Sequence, residues 1–315
     1  MNIFKVIKPG LYSTIQDSGR YGFQQNGVVI SGAMDQFAYK TSNILLGNNP
    51  NSASLEITMQ GPEFIAIKTT VISICGANIS PSVDGKPVDL WKTFKIEKDQ
   101  VLAFGRPING IRAYISVSGG FDIPRTLGSS STYVKGKIGG FGRTLIKGDI
   151  LSANTPLNSK IGVGVSRYYI PDYNSEVKIR VITGPDLDSF TKLGIKTFFQ
   201  SEYKISNSAD RMGYRLEGPS IKHKQGADII SGAANTGTIQ VPEDGKPIIL
   251  MSDHQTTGGY TRIANVISVD IPLIAQKHPG QNICFEETSV NEAQILYRQE
   301  SEYLNFLNKW INSDF

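Results

Sequence analysis

The stretch that decides the fold of this 315-residue chain is residues 247–260, PIILMSDHQTTGGY. Its apolar first part, Pro247–Met251, predicts a buried strand. The following residues are polar and end in Gly258 and Gly259, where the backbone can take positive φ and a ligand can approach closely. We therefore expect a strand that opens into a binding loop, and a chain of two β-rich units that place this loop in a cleft between them.

This predicted loop gathers groups that can move protons or form hydrogen bonds. Its side chains are, in order, Asp253, His254, Gln255, Thr256, Thr257 and Tyr260. A carboxylate or an imidazole can accept or deliver a proton, and the amide and hydroxyl groups can donate and accept hydrogen bonds. Local composition is equally consistent with a solvated glycine turn after a strand.

The composition of the whole chain favours a mainly β fold. A length of 315 residues indicates two domains, and 39% hydrophobic with 19% charged residues is typical of a chain that builds a core. The 32 glycines and 15 prolines suit many short strands joined by turns.

Charge and hydropathy exclude several classes of function. The net charge is only +4 and basic residues alternate with acidic ones, which argues against a nucleic-acid partner. No run of eighteen apolar residues predicts a membrane span, and the N-terminus lacks the apolar core of a signal peptide, so we expect a cytoplasmic protein. The two cysteines and three histidines do not have zinc-site spacing, so we expect no metal site.

Two other segments are candidate parts of a functional site. Residues 14–22 form a glycine-rich, polar stretch in which Asp17 and Arg20 can present an anion or amide site, or can pair and simply hold the turn. Residues 128–142 form a serine- and glycine-rich loop that suits a lid, a phosphate cradle or a mobile surface loop. Neither a P-loop nor a dinucleotide-binding glycine pattern occurs there.

Three further elements are predicted from periodicity and capping. Residues 35–46 form a helix that Asp35 caps, and the chain closes with a helix near Val290–Asn312 that begins with a capping box of Ser289 and Glu292. Residues 198–205 are expected to form a strand.

Four motifs then occur in one order along the chain: Thr14–Arg20 (TIQDSGR), Ser31–Asp35 (SGAMD), Arg211–Gly218 (RMGYRLEG) and Gln255–Tyr260 (QTTGGY). With these motifs the chain resembles the biotin-dependent carboxyltransferase family, which includes allophanate hydrolase subunit 2, the KipI antagonist KipA and the C subunit of bacterial 5-oxoprolinase. The resemblance runs from about residue 3 to about residue 295.

The resemblance implies a fold and a set of partners. The fold is two cyclophilin-like β-barrel domains, residues 1–172 and residues 173–315 with the C-terminal helix, between which strand exchange is conceivable. The partners are a larger A subunit together with a KipI-like B subunit. The three form an ATP-dependent 5-oxoprolinase that opens 5-oxoproline, a small cyclic amide, to L-glutamate, with Mg²⁺ accompanying ATP in the complex.

The resemblance leaves two alternatives open. Fused members of the family move a carboxyl group from carboxybiotin to urea, and this chain has no biotin-attachment motif, so biotin would come from another chain. A regulatory protein that only binds a KipI-like partner is the third possibility.

The motif match places the site, and residue chemistry indicates the roles within it. We expect catalytic residues at Asp253, His254 and Arg211, although a structural role for His254 is equally consistent. Arg20, Arg211, the two threonine hydroxyls and the glycine amides can stabilise a negative oxygen, and Gln240 and Gln255 suit a cyclic amide. The expected substrate-binding residues are Gln240, Gln255, Thr256, Thr257, Gly258, Gly259, Tyr260, Asp17 and Arg20.

Overall fold

The computed structural model describes residues 1–175 and 178–313, and within them the predicted mainly β class is confirmed. The chain divides into two compact units. The first consists of Met1–Arg20, Ser31–Asn174 and the chain from Ser301 onward, and the second of Tyr21–Ile30 and Ser175–Glu300. The predicted domains 1–172 and 173–315 stay a prediction, and residues 176–177 and 314–315 of the latter lie outside the described residues.

The first unit holds two antiparallel sheets, ordered β11-β1-β4-β9-β6-β7 and β2-β3-β10-β5-β8. The strands are β1 (Asn2–Lys8), β2 (Tyr12–Gln16), β3 (Ser54–Thr58), β4 (Glu63–Ala66), β5 (Thr70–Asn78), β6 (Ser82–Val83), β7 (Lys86–Pro87), β8 (Thr93–Ile96), β9 (Val101–Ala103), β10 (Asn109–Val117) and β11 (Ile150–Ser152). Alternating apolar side chains from both sheets form its core, among them Phe4, Phe64, Ile72 and Ile115.

Helix α1 (Gln36–Leu45) lies in the first unit, and the predicted cap is confirmed. The Asp35 carboxylate accepts a hydrogen bond from the Ala38 amide at 2.9 Å, which satisfies one of the open donors of the first turn. The other Asp35 oxygen accepts from the Tyr173 hydroxyl at 2.7 Å. Asp35 is fully buried, so the cap also fixes a carboxylate in the interior.

The second unit holds a nine-stranded sheet, ordered β19-β13-β14-β17-β16-β18-β12-β20, with β15 paired to β18. Its strands are β12 (Ile179–Thr183), β13 (Tyr203–Ile205), β14 (Gly213–Glu217), β15 (Asp228–Ala233), β16 (Thr238–Val241), β17 (Ile248–Leu250), β18 (Thr257–Val266), β19 (Asn282–Ile283) and β20 (Phe285–Glu287). Strands β12 and β20 pair in parallel. The unit also contains α2 (Lys192–Gln200) and α3 (Ile271–Ala275).

The predicted strand at residues 198–205 is wrong in its first half, which belongs to helix α2. The Thr191 hydroxyl caps this helix by accepting from the Gly194 amide at 2.9 Å. Phe198 is fully buried and stacks on Phe285, with 4.5 Å between ring centroids. Tertiary packing of this aromatic pair therefore outweighs the β propensity of the local sequence.

The predicted C-terminal helix is confirmed as α4 (Val290–Asn312). Ser289 accepts a hydrogen bond from the Glu292 amide at 3.1 Å, as its capping box requires. Leu304 and Leu307 are buried on one face. Within residues 1–175 and 178–313, no helix combines the length and the apolar character that crossing a bilayer demands.

Candidate functional site

The centre of the predicted loop is a buried ion pair between Arg211 and Asp253. Arg211 precedes β14 and Asp253 follows β17, and these strands pair antiparallel with Gly213 opposite Leu250, so the two residues meet at one end of the ladder. The guanidinium Nε and Nη2 donate to the two carboxylate oxygens at 3.0 Å each. The Asp253 amide also donates to the Arg211 carbonyl at 2.7 Å.

This geometry indicates what the pair can do. The two side chains are each only 6% exposed, so the charges face each other in a low-dielectric setting. Both oxygens of Asp253 accept from the guanidinium, which suits an orienting role for this carboxylate better than proton transfer. Arg211 is in turn held in a fixed plane at the start of the loop.

His254 is the strongest candidate for proton transfer. It is 3% exposed, and its Nδ1 lies 2.6 Å from the Gln255 carbonyl oxygen. A carbonyl oxygen only accepts, so Nδ1 carries the proton and Nε2 presents a lone pair. Nε2 is buried and finds no hydrogen-bond partner within the described chain. A purely structural histidine would satisfy both nitrogens, so this arrangement favours a functional role.

The charge state of His254 fits that role. Burial lowers the pKa of His254 from its usual value, and the hydrogen bond to the Gln255 carbonyl and the charge of Asp253 only partly oppose this effect. The imidazole is therefore neutral at pH 7, with the lone pair on Nε2 available to accept a proton.

Gln240 and Gly258 are brought into contact across strands β16 and β18. A Cβ at position 258 would lie 2.2 Å from the Gln240 Nε2, so the amide occupies the space that the missing side chain leaves. Gln240 is 6% exposed, and its buried Nε2 has no partner among residues 1–175 and 178–313. After His254, the Gln240 amide is therefore a second buried polar group of this region that lacks a hydrogen-bond partner in the described residues.

The expectation of positive φ at the glycine pair is wrong. Gly258 and Gly259 lie inside strand β18, and neither has a positive φ. Gly258 is instead required because it faces the Gln240 amide, whereas a Cβ at Gly259 would meet Ser231 Oγ at an ordinary 3.5 Å. The polar loop therefore ends at Thr256, and the strand begins at Thr257.

The remaining residues of the motif line the start of β18 and the end of the loop. Gln255 and Thr257 are exposed, and Tyr260 is 41% exposed. Thr257 and Tyr260 pair with Ala233 and Asp228 of β15, and the Thr256 carbonyl accepts from the Ala234 amide at 3.1 Å. Their side chains are at least partly exposed, so a ligand can reach them.

Asp17 and Arg20 belong to the first unit, whereas all other predicted site residues belong to the second. Asp17 accepts from the Ser129 hydroxyl at 2.7 Å, the Ser130 amide at 2.6 Å and the Ser131 hydroxyl. Arg20 is fully buried and donates to the carbonyls of Thr126 at 2.9 Å and Ser131 at 2.8 Å. These contacts favour a structural role for both residues.

The serine-rich part of segment 128–142 is packed in the interior, whereas residues 135–137 are exposed. Residues 129–132 are buried, and the Thr132 amide donates to the Ile15 carbonyl at 2.9 Å. Gly139 has φ +69°, and a Cβ there would lie 2.0 Å from the Ser131 carbonyl oxygen. Gly139 therefore serves close backbone packing.

Sequence reasoning missed the ion pair of Arg262 with Asp186. Arg262 Nε donates to Asp186 at 2.6 Å, and its Nη1 donates to the Ala233 carbonyl at 3.1 Å. Arg262 is the register partner of Gln240, so the two side chains stand on the same face of the sheet. The contact joins residues 76 positions apart, so no local pattern reveals it.

The described ranges 1–175 and 178–313 contain no group of three or more His, Cys, Asp or Glu side chains that could hold a metal ion.

This fold and this set of motifs define a carboxyltransferase-type domain. Residues 26–287 match the family described as carboxyltransferase domain, subdomain A and B, and the chain belongs to this family. The resemblance drawn from the four motifs is thereby confirmed.

The chain is similar to two 5-oxoprolinase subunits over nearly their whole length, and to one part of a longer protein of known structure. The chain is 36% identical over 308 residues to the C subunit of 5-oxoprolinase from Escherichia coli (strain K12), covering 97% of both chains. It is 35% identical over 301 residues to the protein of the same name from Haemophilus influenzae, covering 95% of this chain and 96% of that one. The crystal structure of the K. lactis urea amidolyase superposes with a TM-score of 0.88 at 30% identity, covering 97% of this chain but 20% of that one.

Proposed function

We propose that this chain is the C subunit of an ATP-dependent 5-oxoprolinase, which opens 5-oxoproline to L-glutamate together with two partner proteins. The observation that carries the proposal is the near full-length similarity to proteins named as the C subunit of 5-oxoprolinase. Such a name implies a complex with other subunits, and we propose that these are a larger A subunit together with a KipI-like B subunit. We also propose a cytoplasmic location for the complex.

Lactam opening needs groups that the loop provides. The oxygen of a water molecule bonds to the lactam carbonyl carbon, the carbon–nitrogen bond breaks, and the ring nitrogen takes up a proton. The neutral His254 Nε2 can accept the proton of the attacking water and pass it to the departing nitrogen. Arg211 and the amide of Gln240 can donate hydrogen bonds to the oxygen on which negative charge develops.

ATP makes this poor electrophile reactive by transferring its γ-phosphoryl group to the carbonyl oxygen before water adds, which releases ADP. Breaking the carbon–nitrogen bond then leaves an acyl phosphate, and a second water molecule releases inorganic phosphate and the carboxylate. The described residues contain no cluster of metal ligands, and the sequence contains no P-loop. We therefore assign the ATP and Mg²⁺ site to the assembled complex. The part of this chain in the reaction is to bind the cyclic amide and to move a proton.

The test is glutamate release from 5-oxoproline and ATP by this chain mixed with the two partner proteins, and by the same mixture without this chain. We expect activity only in the complete mixture. We further expect Arg211→Ala and Gln255→Ala to abolish turnover while the complex still co-purifies. Full activity without this chain would overturn the proposal, and wild-type turnover in both variants would overturn the assignment of these two residues.

A second candidate function is a carboxyltransferase component that acts with a separate biotinylated protein. The family match and the likeness to the K. lactis urea amidolyase favour it. Its test is transfer of the carboxyl group from carboxybiotin to urea by the purified chain. A role as a purely regulatory binder of a KipI-like protein stays a prediction, and it requires a partner affinity that is insensitive to changes in residues 253–260.

A further inference from the structure

Two glycines face each other across strands β15 and β18, and two side chains lie over them. Gly232 and Gly258 are register partners. The Gln240 amide lies over Gly258, where a Cβ would come within 2.2 Å of Nε2. The Arg262 guanidinium lies over Gly232, where a Cβ would come within 3.3 Å of Nη1. The sheet therefore carries no side chain at these two paired positions, and the Gln240 amide and the Arg262 guanidinium occupy the space above them.

The Arg262 and Gln240 side chains differ in whether their polar atoms form hydrogen bonds. Arg262 is fixed by Asp186, with N–H···O distances of 2.6 Å and 3.2 Å, and by the Ala233 carbonyl. Gln240 is more than nine-tenths buried, yet its Nε2 meets no hydrogen-bond partner in the described residues. A buried amide left unsatisfied beside a well-held neighbour indicates a group that is completed by a ligand.

The chemistry of a primary amide narrows the ligand class. Its two polar atoms offer one acceptor and one donor side by side. A partner that presents N–H and C=O on the same edge forms two hydrogen bonds with it. Lactams present such an edge because the ring holds their amide in the cis form, and ureas present it through either nitrogen. Ordinary secondary amides are trans and do not present it.

We propose that the Gln240 amide, lying over the bare Gly258, is a subsite that recognises the cis-amide edge shared by lactams and ureido groups. The ligand N–H donates to Oε1, and the ligand carbonyl accepts from Nε2–H. Rotation about the last side-chain torsion, which is broad for an amide, selects the matching orientation. This inference deepens the proposed function and rests on it, since 5-oxoproline is a lactam.

The experiment measures binding of small probes to the full chain by ligand-observed NMR. The probes are 2-pyrrolidinone, its N-methyl derivative, 5-oxoproline and urea. We expect 2-pyrrolidinone to bind at least about tenfold more tightly than the N-methyl derivative, because methylation removes the N–H. Comparing 5-oxoproline with urea tells a lactam subsite from a ureido subsite.

Three variants connect the binding to this geometry. Gln240→Met keeps the size of the side chain but removes the amide, and Gly258→Ala places a methyl group where the amide lies. We expect both to lower probe affinity by about tenfold or more. Gly226→Ala is the matched control, because a Cβ there meets nothing within 4 Å.

The outcomes separate this inference from the proposed function. Failure of the wild-type chain to bind any of the N–H-bearing probes, or undiminished binding by Gln240→Met, would overturn the subsite. Binding of 2-pyrrolidinone that depends on Gln240, together with no glutamate release by the complete mixture of proteins, would refute the 5-oxoprolinase proposal and leave the subsite standing.

Discussion

Arg211 and Asp253 meet through two parallel hydrogen bonds of 3.0 Å, and the Asp253 amide returns a third bond of 2.7 Å to the Arg211 carbonyl. The pair joins the start of β14 to the loop after β17 by both side chain and backbone. His254 follows directly in the chain, so the orientation of the imidazole depends on this pair.

Arg211→Lys tests whether the two parallel hydrogen bonds from the Arg211 guanidinium to the Asp253 carboxylate are needed. A lysine keeps the charge but cannot donate two parallel bonds to one carboxylate, so we expect turnover of the complex to fall by about tenfold or more. Steady-state kinetics of the reconstituted complex provide the measurement. Arg143→Lys is the control, because Arg143 makes a similar fork on Asp149 in the first unit. Equal losses in the two variants would show that the effect is general destabilisation.

His254 gives a prediction for the dependence of activity on pH. Burial lowers its pKa, so the imidazole becomes protonated only below its ordinary value of about 6.5 and loses its lone pair there. We expect kcat/KM to fall at acid pH in the wild-type complex and His254→Gln to be slow without this limb. His278→Gln is the control, because His278 is exposed. An acid limb that persists in His254→Gln would refute the assignment.

Protonation of His254 also changes the free energy of unfolding, and the lowered pKa sets the sign of this change. The folded chain binds the His254 proton less readily than the unfolded chain, because the pKa is lowered on folding. The free energy of unfolding therefore decreases as pH falls below about 6.5. Denaturant unfolding of the wild type and of His254→Gln at pH 7.5 and 5.5 measures the effect. A larger loss in the variant than in the wild type would contradict it.

Asp17 is expected to act on stability. The amides of Ser130, at 2.6 Å, and Gly19, at 2.9 Å, now donate to different oxygens of the Asp17 carboxylate, and an asparagine has only one oxygen to offer them. Leaving one buried donor unsatisfied costs about 1–3 kcal/mol, so Asp17→Asn should lower the free energy of unfolding by that amount. Asp122→Asn, at an exposed position, should have little effect. Unchanged stability of Asp17→Asn would favour the anion-site interpretation of the motif.

Tyr173→Phe tests the buried carboxylate at the start of α1. Burial raises the pKa of Tyr173, so its hydroxyl stays protonated and donates to Asp35 at 2.7 Å. Removing this donor should lower the free energy of unfolding by about 1–3 kcal/mol in denaturant titrations. Tyr168→Phe is the control, because Tyr168 is 87% exposed. Equal stability of the two variants would show that the hydroxyl of Tyr173 contributes little.

Short-range sequence patterns were sufficient to predict several helices and strands. The Asp35 cap and the Ser289–Glu292 capping box predicted the helices they begin, because capping involves residues at most three positions apart. The strand before the loop was predicted from its run of apolar residues.

Contacts between distant residues were not predictable in the same way. The glycine pair of β18 was expected in a turn, because nothing near it reveals that Gly258 lies against Gln240. The pairing of Arg262 with Asp186 and the serine contacts of Asp17 join residues 76 and about 113 positions apart. Such contacts depend on strand register, which a single sequence specifies only weakly.

The hydrogen bonds of the connection between β17 and β18 have a dynamic consequence. The amide of Asp253 donates to the Arg211 carbonyl and that of His254 donates to the Met251 carbonyl, so the backbone of this short connection is tied at both positions. Exchange of the Asp253 amide proton with solvent requires the end of β17 to separate from the chain before β14, whereas exchange of the His254 amide proton requires opening of the turn that begins at Met251. The proposed catalytic groups therefore lie on a connection that is already ordered, and we expect a substrate to meet them in place, without having to order the loop.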